Sequence, residues 1–320
     1  MFCRPLISAV VVALIVTSPL FAQFKDADPQ GAKLGDSKTF RWRAGMIITA
    51  SGGACKALNG YAPMPIDWPE QQVRIVDEEI SPGVKVDYKT IDGTVKLMMV
   101  KIASLPAGQE AKALVTLEIK RRPILPPDDV DIYVMPDVKK LRADVRPYLA
   151  PSPKIESRDS KIRSQAKQII ADKEKAWEKV EAIYDWTREH VKYKEGAPLR
   201  GAIAAMKDGT GDCEDMTSLF IALCRAADIP ARTVWVLGHC YPEFYLEDDK
   251  GDGHWFPCQA AGSRQFGGIL ENRPILQKGD NFKPPQGKGE RQRYLAESLT
   301  GAGGTPKYKF VRELLGGDQK

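Results

Sequence analysis

The hydrophobic pattern changes character twice along the 320-residue chain. Between Phe40 and about Arg122, apolar and polar residues alternate in short runs. These are Phe40–Arg43, Gln72–Val76, Val84–Tyr88, Thr94–Ile102 and Ala113–Ile119, with Asp92-Gly93 and Ala107-Gly108 as turn signals. Such alternation, punctuated every ten or so residues, predicts a small antiparallel β-sandwich. Pro123, Pro126, Pro127, Pro136, Pro147, Pro151 and Pro153 then stiffen a connection. From near Arg158 the period becomes helical. Trp177, Val180, Tyr184, Thr187 and Val191 share one helix face and predict a core stripe. Met216, Leu219, Phe220, Leu223 and Ala227 form a second such face, ended by Asp228-Ile229-Pro230. Ala231–Leu237, His239–Leu246 and His254–Gln259 read as strands, the last two joined as a hairpin through the polar loop 247–253. Beyond Gly267 the chain is rich in Gly and Pro, with a helix predicted at Glu290–Ser298.

The predicted organisation is a leader at 1–22, a β-sandwich at 23–122, a Pro-rich connection at 123–153, an α+β domain at 154–266, and a C-terminal extension with short helices at 267–320. The leader reads as an export signal. Arg4 is followed by an apolar run from Leu6 to Val16, a break at Ser18-Pro19, and a cleavage site placed after Ala22. The run falls within the roughly 7–15 apolar residues of a signal peptide and is short for a membrane span, so an uncleaved anchor is the lesser alternative. A secreted or periplasmic protein is expected, with no stable membrane association after cleavage. Five cysteines then remain, Cys55, Cys213, Cys224, Cys240 and Cys258, and an odd count leaves a thiol free or paired between chains.

Composition narrows the chemistry. At 43% hydrophobic and 28% charged residues the chain is globular, not disordered, collagenous or multispanning. The net charge of +5, falling to +4 without Arg4, comes with no Lys/Arg block, so no nucleic-acid partner is expected. Imidazole chemistry must use His190, His239 or His254.

The segment Gly209-Thr210-Gly211-Asp212-Cys213-Glu214-Asp215-Met216 carries the strongest signal. Two glycines allow a tight turn, Asp212 suits a helix N-cap, and Asp215 is placed to reach back toward the cap backbone. Cys213 then sits in the first helical turn, where the dipole and open N–H groups favour a thiolate and an oxyanion. Cys224, in an apolar setting, reads as a structural cysteine. A register placing His239 opposite Gln259 turns both to one face and sets Cys240 opposite Cys258 on the other. That register makes a Cys240–Cys258 disulfide geometrically accessible. A metal site built from His239, Cys240, His254 and Cys258 is disfavoured because neighbouring strand residues point to opposite faces. No metal or other cofactor is expected. His190, at a helix C-terminus, and His254, in the hairpin, read as solvated residues.

Gly211-Asp212-Cys213, Leu219–Arg225, Ile229-Pro230-Ala231-Arg232, His239 followed by Glu243-Phe244-Tyr245, and Trp255-Phe256-Pro257 together resemble the transglutaminase-like superfamily. Tyr184-Asp185-Trp186 through Val191-Lys192-Tyr193 resembles the segment preceding that family's nucleophile, and the likeness covers about residues 148–265. It implies a papain-like fold, with a nucleophile helix packed on an antiparallel sheet that bears the histidine and third residue. It also implies Cys213 as nucleophile, His239 as base and Gln259 as orienter. Two positions depart from the family. Gln259 stands where Asp is usual, and 196–201 lacks the tryptophan that steadies the oxyanion in cross-linking enzymes. An amide still accepts a hydrogen bond from imidazole but stabilises imidazolium less than a carboxylate. The expectation is an exported thiol enzyme acting on amide bonds of a peptide or protein substrate, with hydrolysis ahead of deamidation or amine transfer. A catalytically silent peptide-binding module of the same fold is the alternative.

Overall fold

A computed structural model describes residues 31–196, 198–285 and 290–317. The predicted leader lies outside the described residues. The chain is α+β, with a β-sandwich beside a core of helices packed on an antiparallel sheet.

The sandwich is built on β1 (Lys38–Met64), β2 (Gln71–Ile80), β3 (Val84–Ile91), β4 (Val95–Leu105) and β5 (Glu110–Arg121). Its sheet order is β2-β5-β1-β4-β3, and β1 belongs to both halves. Residues 38–49 of β1 pair with β5, and 55–64 pair with β4. Trp42, Ala44, Met46, Ile48 and Ala50 alternate inward and meet Leu58, Ala62 and Met64 from the far half in one apolar core. The sequence pattern predicts only Phe40–Arg43 of this 27-residue strand.

The C-terminal extension departs from expectation. Among the described residues 290–297 there is no helix, and β10 (Ser298–Gly317) runs antiparallel along most of β1. Tertiary pairing overrides local propensity here. The two strands bend together at paired glycines, and a Cβ on Gly304 would lie 2.5 Å from the Gly53 carbonyl oxygen. Glycine is required where two backbones approach this closely.

In the second domain, α1 (Ser160–Ile169), α2 (Ala176–His190), α3 (Ala202–Asp208) and α4 (Cys213–Ala226) precede β6 (Ala231–Val236), β7 (His239–Glu247), β8 (Gly253–Pro257) and β9 (Ile275–Lys278). The sheet order is β8-β7-β6-β9, antiparallel throughout. Leu219, Phe220, Leu223 and Cys224 of α4 pack with Phe244, Leu246, Phe256 and Cys258 of the sheet side. Trp177, Val180 and Tyr184 close the same core from α2. Burial of so much apolar area fixes α4 along the sheet, which is what delivers its first turn to the start of β7.

The sandwich and this sheet are stitched by polar bonds. Gln71 accepts from the Ile275 amide at 2.7 Å and donates to its carbonyl at 3.0 Å. Lys278 bridges Glu70 and Glu243 at 2.7 and 2.6 Å. Leu276 is buried in the sandwich core itself. Pro242 and Pro257 leave the β7–β8 ladder unbroken, and the Pro242 carbonyl accepts from the Cys258 amide at 3.0 Å.

Candidate functional site

Gly211 and Asp212 set the position of Cys213. Asp212 caps α4, accepting from the Glu214 and Asp215 amides at 2.9 and 3.0 Å, so Cys213 is the first helical residue. Asp215 does not turn back to the cap. Its fully buried carboxylate accepts from the Arg200 and Gly201 amides at 2.9 and 2.8 Å, tying the segment before α3 to α4. A Cβ on Gly211 would stand 2.6 Å from the Asp215 Cβ, so glycine is what permits this docking.

Three expected residues come together. Cys213 is half-buried at the helix start, in polar contact with His239 and Cys240 at the start of β7. His239 Nε2 lies 2.9 Å from Gln259 Oε1. The amide oxygen only accepts, so Nε2 carries the proton donated to it, and Nδ1 is the ring atom left for Cys213.

The hairpin register differs from expectation by two residues. Glu243 pairs with Pro257 and Tyr245 with Trp255, which sets Tyr241, not His239, level with Gln259. A shift of two preserves the face, so His239 and Gln259 still meet, diagonally. The same shift separates Cys240 from Cys258. Both are free thiols, Cys258 packing in the α4 core and Cys240 lying against Cys213. The Cys240–Cys258 disulfide that the other register made accessible is therefore not formed, and Cys240 is part of the site rather than behind it.

The electrostatics favour an ion pair. A hydrogen bond from the Cys240 thiol, followed by that of His239, holds Cys213 down to about 4 against the opposing effect of burial. Burial pulls His239 down, but its contacts with Cys213 and Gln259 outweigh this and raise it overall. Burial also raises Asp212 and Glu214, and the nearby Cys213 charge adds to both. Arg273 donates to the Leu237 carbonyl at 2.8 Å, holding the turn before His239, and its guanidinium is paired with Glu271 at 2.5 Å.

The other histidines lie elsewhere. His190 stacks on Trp186 and its Nε2 contacts the Met206 carbonyl at 2.6 Å. His254 is not a solvated hairpin residue. It is buried, and its Nε2 lies 2.9 Å from Asp248, whose other oxygen caps the hairpin tip through the Lys250 and Asp252 amides. Among the described residues no group of three or more His, Cys, Asp or Glu is placed to hold a metal ion.

The sequence reading missed the partners that fix Gln259. Tyr184 donates its hydroxyl to the Gln259 carbonyl at 2.8 Å, and Arg188 reaches the same carbonyl at 2.9 Å. In the sequence Tyr184 stands in a core stripe and in the segment resembling the family, but neither signal ties it or Arg188 to Gln259.

A transglutaminase-like superfamily model matches residues 163–260. An uncharacterized protein of Haemophilus influenzae is 25% identical over 212 residues, a match covering 62% of this chain and 55% of that protein. The chain thus spans about half the length of that relative. A crystal structure of a candidate cysteine protease from Cytophaga hutchinsonii superposes with a TM-score of 0.59 at 19% identity, covering 90% of this chain and 94% of the other. That likeness extends across both domains and speaks to fold.

Proposed function

Residues 163–260 form a transglutaminase-like domain, and on that premise we propose that the chain is an exported thiol enzyme hydrolysing amide bonds in a peptide or protein substrate. The observation that carries this reading is the convergence of Cys213, His239 and Gln259, with the thiol held down to about 4. In the proposed cycle the Cys213 thiolate attacks the scissile carbonyl, forming a C–S bond and an oxyanion. Asp212 already takes the Glu214 and Asp215 amides, so the Cys213 amide is the donor that α4 offers to that oxyanion. Collapse breaks the C–N bond while His239 Nδ1–H gives its proton to the leaving amine. His239 then takes a proton from water, whose oxygen attacks the thioester; collapse breaks the C–S bond, frees the acid and returns Cys213 as thiolate beside the protonated imidazole. Gln259 orients the ring throughout. Export rests on the leader pattern of Arg4, the apolar run and Ala22.

The test is cleavage of a quenched fluorescent peptide mixture by wild type and Cys213→Ala, with and without a primary amine. Cleavage lost in the variant and indifferent to the amine is the expected result. Amine incorporation in place of hydrolysis would make the chain a transferase. Binding of the peptides without any turnover by wild type would make it a silent module, a reading that draws on Gln259 standing where the family has Asp.

A further inference from the structure

We propose that Arg188 is a positioning residue for this site, holding the loop 259–262 so that Gln259 can hold His239. The inference rests on the reading of Cys213 and His239 as a thiolate–imidazole pair and extends it to a residue outside the triad.

Regular strand pairing in β8 ends at Pro257, so the carbonyls of the following loop need donors from elsewhere. Arg188 supplies them. One guanidinium nitrogen donates to the Gln259 and Ala260 carbonyls at 2.9 and 3.0 Å, and the other to the Gly262 carbonyl at 2.7 Å. Gly262 has φ +102, a backbone state open to glycine, and this turns its carbonyl toward the fork. Tyr184 adds its hydroxyl to Gln259 and accepts from the Gln265 amide at 3.0 Å. Glu181 and Asp185 hold Arg264 at 2.6 and 3.0 Å. Positions 181, 184, 185 and 188 form one helical stripe, so a whole face of α2 is applied to this loop.

The orienter's identity explains why the loop must be held so firmly. A glutamine has one more rotatable bond than an aspartate and loses more rotamer freedom when fixed. With a neutral amide, alignment replaces the attraction a carboxylate would exert on imidazolium. A guanidinium is a rigid planar fork that can span three carbonyls, whereas an ammonium is a point donor.

The experiment titrates the site without requiring turnover. NMR follows the His239 imidazole, one of three histidines, and iodoacetamide follows Cys213, in wild type, Arg188→Ala and Arg188→Lys. Arg273, Glu271, Asp212, Glu214 and Cys240 also bear on these two groups and are untouched by the substitutions. In Arg188→Ala the His239 midpoint should fall and the Cys213 midpoint rise, each by about one pH unit, a tenfold change in protonation constant. Arg188→Lys keeps the charge without the fork and should lie nearer Ala than wild type. Folded variants with wild-type midpoints and a lowered melting temperature overturn the proposal, leaving Arg188 a structural clamp. If Ala fails to fold, Arg188→Lys decides alone. An ordinary thiol midpoint in wild type itself would instead sink the thiolate–imidazole reading.

Discussion

The His239 Nε2 and Gln259 Oε1 atoms stand 2.9 Å apart, and this bond decides which ring nitrogen is left for Cys213. Losing it frees the imidazole to rotate and to change tautomer. Gln259→Ala should therefore lower kcat for amide cleavage by about 10²-fold, the low end of what positioned acid–base chemistry supplies. Gln259→Asp keeps an acceptor and adds a charge that favours imidazolium, so its rate should match or exceed wild type. Equal kcat for wild type and Gln259→Ala would show that His239 is oriented by something else.

The pH dependence follows from the opposed shifts of the pair. Cys213 is depressed to about 4, so its thiolate is present through neutral pH and is lost as pH falls through that value. His239 is raised above its ordinary value by its contacts with Cys213 and Gln259, against the opposing effect of burial, so its proton is held to higher pH than a free imidazole's and is lost as pH climbs through the raised value. Hydrolysis should follow a bell, its acid limb set by Cys213 and its alkaline limb by His239. Iodoacetamide alkylation of Cys213 should be fast and flat near neutrality, with half the rate lost near pH 4. An alkylation midpoint near the ordinary thiol value, in wild type as in His239→Ala, contradicts the pair.

Cys240 is the largest single influence on that thiolate. Replacing it by Ala removes an S–H donor while leaving the ring in place, so the Cys213 alkylation midpoint should rise by about one unit, worth roughly 1.4 kcal/mol between the two protonation states. Peptide mapping of non-reduced protein should find Cys240 and Cys258 both as free thiols, as the shifted hairpin register requires. A bond between them would mean that the β7–β8 pairing differs from Glu243↔Pro257.

How much of this was legible depends on the range of the interaction. The cap at Asp212, the cysteine at the head of α4 and the face shared by His239 and Gln259 are local, set by a turn, a helix period and a strand period. The hairpin register is only half local. Parity survives a slip of two residues, so the meeting of His239 with Gln259 was readable while the cysteine pairing was not. β10 was unreadable because it is a strand only by virtue of lying on β1, more than two hundred residues earlier. Several motif residues that signalled the family prove to be architectural. Arg232 pairs with Glu243 at 2.8 Å and lies 4.0 Å over the Trp255 ring, and Arg225 pairs with Asp280. Their spacing carries the fold, and the fold carries the site.

The Arg225–Asp280 pair supplies a test of that architecture apart from the chemistry. Both side chains are 1% exposed, and two guanidinium–carboxylate bonds of 2.9 Å join them. Asp280 also accepts from Ser152 at 2.6 Å and from the Thr233 amide at 3.2 Å, while Arg225 donates to the Ala231 and Ala150 carbonyls. Asp280→Ala leaves a buried cation without its counter-charge and should cost about 3–5 kcal/mol in denaturant unfolding. Arg225→Met with Asp280→Leu removes both charges together and should recover much of that loss, because the desolvation cost goes with them. If the double variant is no more stable than Asp280→Ala, the carbonyl bonds from Arg225 matter more than the ion pair in joining α4 to the sheet.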